Sequence, residues 1–213
     1  MQPMANLALR AARLAGQHIA RAYDRPDLIK ISDKGQNDFV TNVDVEAERI
    51  IIDSLRKKYP DHIFTGEENS QDEFVASRGN GCSVNGTRTR VRTTKNLDGA
   101  MISTGGGGMQ DVAEAQGRVY TQLIEERAIL RQPGSAALDL AYIASGKLDG
   151  MWMKNLQLWD MAAGALMVQE SGGLLGDFSG GGNHLKSGNI IAAGPKVFKV
   201  LTPIVKKHLG AIK

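Results

Sequence analysis

The chain has 213 residues, 42% hydrophobic and 23% charged, a globular balance that excludes an intrinsically disordered protein and allows one compact domain, or two small ones. Lysine and arginine number 26 against 23 aspartate and glutamate, so the pI near 9.0 reflects a small excess of base. A net charge of +3 tolerates an anionic ligand and by itself gives no argument for nucleic acid. A lone cysteine, Cys82, excludes an internal disulfide and fits an intracellular compartment.

Leu7, Ala11, Leu14, Ala15 and Ile19 recur at helical spacing, with Arg10, Arg13, Gln17 and Arg21 off the stripe. They predict an amphipathic helix over 4–23, closed by Pro26. Arg10 and Arg13 also interrupt any signal-peptide core, and no stretch is apolar enough to span a bilayer, so a cytoplasmic protein with no membrane partner is expected. Polar residues 28–38 predict a mobile loop. Asp44 is expected to open a second helix, with Ala47, Ile50, Ile51 and Leu55 on one face and Pro60 at its end. His62-Ile63-Phe64 reads as a short strand running into Thr65-Gly66-Glu67-Glu68.

From Glu73 to Ala100 the pattern is β-like, with a turn at Asn85-Gly86 followed by alternating threonine and arginine. Helices are expected over 109–130, over 134–145 with Ser135 near its cap, over an alanine-rich 160–170 and over a basic 196–209. Strands are expected over 150–158, 174–178 and 190–193. Glycine clusters at 105–108, 172–173 and 180–182 mark tight turns or close backbone approach to a ligand. Interleaved helices and strands without an internal repeat or a separating linker predict a layered α/β or α+β fold in a single domain, 1–213.

Acidic residues gather at predicted element ends: Asp38 and Asp44, Glu67 and Glu68, and Asp160. Such carboxylates can converge on magnesium, a hard cation that takes oxygen ligands; each can equally be a helix cap or a solvated charge. His18, His62, His184 and His208 lack metal-type spacing, and Trp152 and Trp159 read as packing residues.

The strings Asp38-Phe39-Val40-Thr41-Asn42-Val43-Asp44, Gly66-Glu67-Glu68, Gly134-Ser135-Ala136-Ala137-Leu138-Asp139-Leu140-Ala141 and Trp159-Asp160-Met161-Ala162-Ala163-Gly164 occur in that order. Together they resemble the inositol monophosphatase family over nearly the whole chain. The resemblance implies an αβαβα sandwich, hydrolysis of a small phosphorylated sugar or inositol, two or three Mg2+ ions, lithium inhibition and a homodimer. Position by position, it implies that Glu67 and Asp160 hold metal. It also implies that Asp44 orients the attacking water with Glu67 beside it, that the backbone of Gly134, Ser135 and Ala136 meets the sugar hydroxyls, and that Lys34 sits in a loop closing over a third metal. Two cations about 4 Å apart would clamp the attacking and leaving oxygens and lower the pKa of a bound water. Some bacterial relatives act on the transcription machinery, so transcription-complex proteins are the alternative partners.

The sequence departs from the family's pattern in three places. The family's Asp-Pro-Ile/Leu-Asp-Gly-Thr string, which supplies two metal carboxylates, a carbonyl ligand and the threonine that orients the water, is missing after Glu67-Glu68. Asn96-Leu97-Asp98-Gly99-Ala100 is not a substitute, because its neighbours match the turn ahead of a later strand. Either a further segment belongs near 72–73, outside these 213 residues, or the string is truly deleted and the chain is inactive. Met153 stands where many relatives carry a glutamate that contacts an inositol hydroxyl, which weakens the case for inositol phosphate as substrate. Gly106-Gly107-Gly108 replaces Phe-Pro-Phe-like residues, and no Lys-Ser/Thr follows as a P-loop requires.

Overall fold

The structure is a computed structural model that describes residues 3–35, 38–58, 73–105 and 112–211. It divides into two compact units, Met1–Glu73 and Phe74–Lys213.

In the first unit, helix α1 (Pro3–Tyr23) packs on α2 (Asn42–Arg56), and Ala11, Ala15, Val43 and Ala47 are buried. Between them run a 3-10 turn (Pro26–Leu28) and the antiparallel pair β1 (Ile31–Gly35) and β2 (Asp38–Thr41). The loop expected over 28–38 is thus largely strand, and Lys34 lies in β1. The second helix opens earlier than Asp44, at Asn42. Thr41 is its N-cap and accepts from the amides of Val43 and Asp44, a capping box that the Thr-x-x-Asp spacing favours. The expected strand at His62–Phe64 lies outside the described residues.

The second unit is built of stacked layers. A five-stranded sheet runs in the order β7 (Ile129–Arg131), β6 (Met101–Gly105), β8 (Gly150–Met153), β10 (Ile190–Ala193), β9 (Leu174–Gly176). Strand β6 is parallel to β7 and β8; β10 is antiparallel to β8 and β9. Side chains alternate across the pleat, so neighbouring residues of one strand enter different cores. Trp152, Ile191 and Ala193 pack with Val119 and Leu123 of α3 (Ala113–Glu125) and with Val197, Leu201 and Val205 of α7 (Pro195–Leu209). Met151, Met153, Ile190 and Ala192 pack instead with Leu140 and Ile143 of α4 (Ala136–Ala144) and with Met161 and Val168 of α5 (Leu158–Glu170). Beyond α5 lies an antiparallel sheet, β3 (Phe74–Ser77), β4 (Gly81–Val84) and β5 (Thr87–Thr89), turned by Asn85 and Gly86 at φ 50° and 78°. A short helix α6 (His184–Ser187) completes the unit. Cys82 is buried in β4, and burial pushes its thiol up, as befits an inert small residue.

Strand β8 stops at Met153 rather than at 158. Asn155 adopts φ 59°, and α5 begins at Leu158. Helices α4 and α5 come unusually close, because a Cβ at Gly164 would lie 2.4 Å from Leu140 Cβ. Gly164→Ala is expected to destabilise the protein by about 1–3 kcal/mol, measured as a lower urea midpoint at unchanged slope.

Candidate active site

Asp44, expected to orient the attacking water, and Asp160, expected to hold metal, both sit at helix N-termini. Asp44 is the third residue of α2, and its Oδ2 accepts from the Thr41 amide and from the Thr41 hydroxyl, each at 2.7 Å. Asp160 is the third residue of α5, and its Oδ2 accepts from the Gln157 amide at 2.7 Å. Each carboxylate therefore caps its helix with one oxygen, favoured there by the partial positive charge of the helix N-terminus. In both, Oδ1 has no bond to a described residue and could meet a ligand. Asp44 belongs to the first unit and Asp160 to the second. Glu67 and Glu68 lie outside the described residues.

Gly134, Ser135 and Ala136 form the entry to α4. Gly134 adopts φ 102°, a conformation that disfavours any side chain. Ser135 is the N-cap, its Oγ accepting from the Leu138 amide at 3.3 Å. Met153, in the glutamate's place, is 1% exposed and packs into the core against α4 and α5. Trp152 is fully buried as expected, whereas Trp159 is 47% exposed beside Asp160 and is not a core residue.

Sequence reasoning passed over Asp139. It is fully buried on α4, and among the described residues neither its carboxylate oxygens nor the buried Ser103 Oγ on β6 has a hydrogen-bond partner. Burial pushes the Asp139 carboxyl up to about 6, and the nearby Ser103 hydroxyl works in the opposite direction. The signal was present in the string Ala-Ala-Leu-Asp-Leu-Ala-Tyr-Ile-Ala, where one charged residue interrupts an apolar helix.

Magnesium takes near-octahedral oxygen ligation, through one or two carboxylates together with waters and substrate phosphates. Among the described residues no three histidine, cysteine, aspartate or glutamate side chains lie close enough to hold a metal. Asp44 in the first unit and Asp160 in the second each leave one oxygen open, and the described residues do not assemble a magnesium site.

Helices packed on both faces of the five-stranded sheet make the second unit a layered α/β structure. A profile of the inositol monophosphatase family matches residues 1–74 and 70–209. The chain is 37% identical over 262 residues to "Nus factor SuhB" of Escherichia coli, covering 99% of this chain and 98% of that protein. The Pseudomonas aeruginosa protein of the same name is also 37% identical, over 98% of each chain. The crystal structure of the extragenic suppressor protein suhB from Bartonella henselae superposes with a TM-score of 0.90 at 30% identity, over 97% of this chain and 99% of that one. An inositol monophosphatase from Thermotoga maritima shares the fold with a TM-score of 0.80 at 23% identity, over the whole of both chains. The chain belongs to the inositol monophosphatase family, and its fold is the layered α/β fold of that family.

Proposed function

We propose that the chain works as a Nus-type factor, a protein partner of the transcription machinery, on a phosphatase scaffold whose metal centre is incomplete. The observation that carries this reading is the missing Asp-Pro-Ile/Leu-Asp-Gly-Thr string. The family match breaks into two pieces at residues 70–74, where the string is expected. The alignment with the Escherichia coli relative spans 262 positions against 213 residues here, in keeping with a block of that relative that has no counterpart in this chain. Without the string, the centre lacks two carboxylates, a carbonyl ligand and the water-orienting threonine that the family resemblance implies. Several relatives bear the name Nus factor, which supports the transcription role.

A second reading is magnesium-dependent, lithium-sensitive hydrolysis of a small phosphate monoester, inositol monophosphate first. It is favoured by the retained Asp44, Glu67 and Asp160 and by the Gly134–Ala136 backbone, and it needs a further segment near 72–73. In both readings residues 1–213 act as one cytoplasmic domain in a homodimer. Among the described residues no helix is long and apolar enough to cross a membrane.

The test is an intact mass followed by two assays on the purified protein. A mass of 22.9 kDa, no Mg2+-dependent release of phosphate from inositol monophosphate, and saturable binding to purified RNA polymerase are expected. A larger mass would show that further residues exist, and Mg2+-dependent turnover that Asp160→Asn or Asp44→Asn abolishes would establish the enzyme reading instead.

A further inference from the structure

We propose that the edge of the second unit formed by β5 and the extended segment after it is a binding surface for the phosphate backbone of a single-stranded nucleic acid. Arg88, Arg90 and Arg92 alternate with Thr89 and Val91. The arginines are exposed, Thr89 is half-buried and Val91 is buried, so the three guanidinium groups share one face. Successive side chains on such a face stand about 6.6 Å apart, an extended ladder suited to a polymer that carries one charge per unit.

Beside the ladder lies a cleft of about 330 Å3 lined by Arg90, Arg92, Thr93, Ser171, Gly172 and Lys196. Two of its arginines are held in place and keep donors in reserve. Arg92 gives Nη1 to Asp149 at 3.1 Å, and the buried Asp149 carboxylate also accepts from the Met101 amide and the Thr94 hydroxyl. Arg90 gives Nη1 to the Glu170 carbonyl at 3.2 Å. A guanidinium has five N–H donors, so each tethered arginine retains others for an oxyanion, and its entropy of ordering is already spent. The acidic groups nearby are occupied. The Glu170 carboxylate accepts from the Gly79 and Gly81 amides at 2.7 and 2.8 Å, and Arg88 lies across Gly81.

Composition favours a nucleic acid over a protein partner. Protein interfaces centre on buried aromatic or aliphatic anchors, and residues 85–96 expose no large hydrophobic side chain. Arginines interleaved with threonine hydroxyls are the groups that contact phosphates. With no aromatic platform in the row, bases have nothing to stack on, and binding should be independent of sequence. The surface shares no residue with the carboxylates of α2 and α5, so it stands whichever reading of the active site holds.

The experiment is fluorescence anisotropy of the full chain with labelled oligouridylate and oligoadenylate across a salt series. Both are expected to bind with similar affinity, with log affinity falling linearly against log salt. The triple variant Arg88→Gln/Arg90→Gln/Lys196→Gln should lose at least about ten-fold in affinity and about two units of salt slope, at roughly 0.7 per phosphate contact on a single strand. A matched variant on α7, Lys199→Gln/Lys206→Gln/Lys207→Gln, removes the same charge elsewhere and should bind as the parent does. Arg92 is left intact because its loss would strand the buried Asp149 charge. Absence of binding, equal losses in both variants, or equal displacement of the oligonucleotide by polyglutamate would overturn the proposal.

Discussion

Trp152→Ala is expected to destabilise the protein by roughly 3–5 kcal/mol and to lower the melting temperature by on the order of 10 °C. Trp152 is a fully buried side chain at the centre of the sheet, in β8. It meets Tyr120 of α3 edge to face at 5.6 Å, and its Nε1 donates to Gln116 Oε1 at 2.9 Å. Gln116 in turn gives its amide nitrogen to Thr104 Oγ1 on β6 at 3.1 Å. Alanine therefore opens a cavity between sheet and helices and leaves a buried carbonyl oxygen without its donor, two costs that add. Trp152→Phe separates them. It fills most of the cavity, leaves Gln116 Oε1 unpaired, and should cost about 1–3 kcal/mol. If alanine and phenylalanine melt alike, the hydrogen bond rather than the packing dominates at this position.

The second large effect is a dependence on pH that one residue controls. The ordinary carboxyl value of 3.8 applies to Asp139 in the unfolded chain, and burial raises it to about 6 in the folded protein. Between those values the folded state holds a proton that the unfolded chain has released. The stabilising contribution is thus complete below about pH 4 and is lost as pH rises through about 6. The size is about 3 kcal/mol at neutral pH, because each tenfold change in proton affinity corresponds to about 1.4 kcal/mol. Asp139→Asn removes the titration. Urea unfolding of the two proteins at several pH values should show the variant gaining on the parent from pH 4 to pH 7 and holding that gain above it. A constant difference between them across that range would mean that Asp139 stays charged when folded.

The elements with a strong period were legible from the residues alone. Helix α1, helix α4 with its Ser135 cap, strand β10 and helix α7 all fall where apolar spacing and turn residues put them. The pair β1–β2 was not, because strands of five and four residues are too short for a period to stand out. Strand β7 has three residues, too few for a pattern. The end of β8 depended on the left-handed backbone of Asn155, which asparagine tolerates but does not announce. Asp44 and Asp160 were recognisable both as functional candidates and as helix caps, while the partners of their capping bonds came from the structure. Asp139 was visible as a charge in an apolar helix, but its lack of partners depends on what β6 brings opposite it.

The Trp-Asp-x-Ala-Ala-Gly string gains a second meaning from the close approach of α4 and α5. Asp160 caps α5, Met161 is fully buried in the core, and Gly164 is the residue that lets Leu140 lie against the helix. These letters of the signature therefore have folding reasons of their own, and purifying selection on stability alone would preserve them after hydrolysis had ceased. Motif scans that rely on this string report an intact scaffold and leave catalysis to be tested separately. Catalytically silent descendants of the family should then be sought by the state of the segment that follows Gly-Glu-Glu, with the later signature used only to recruit candidates.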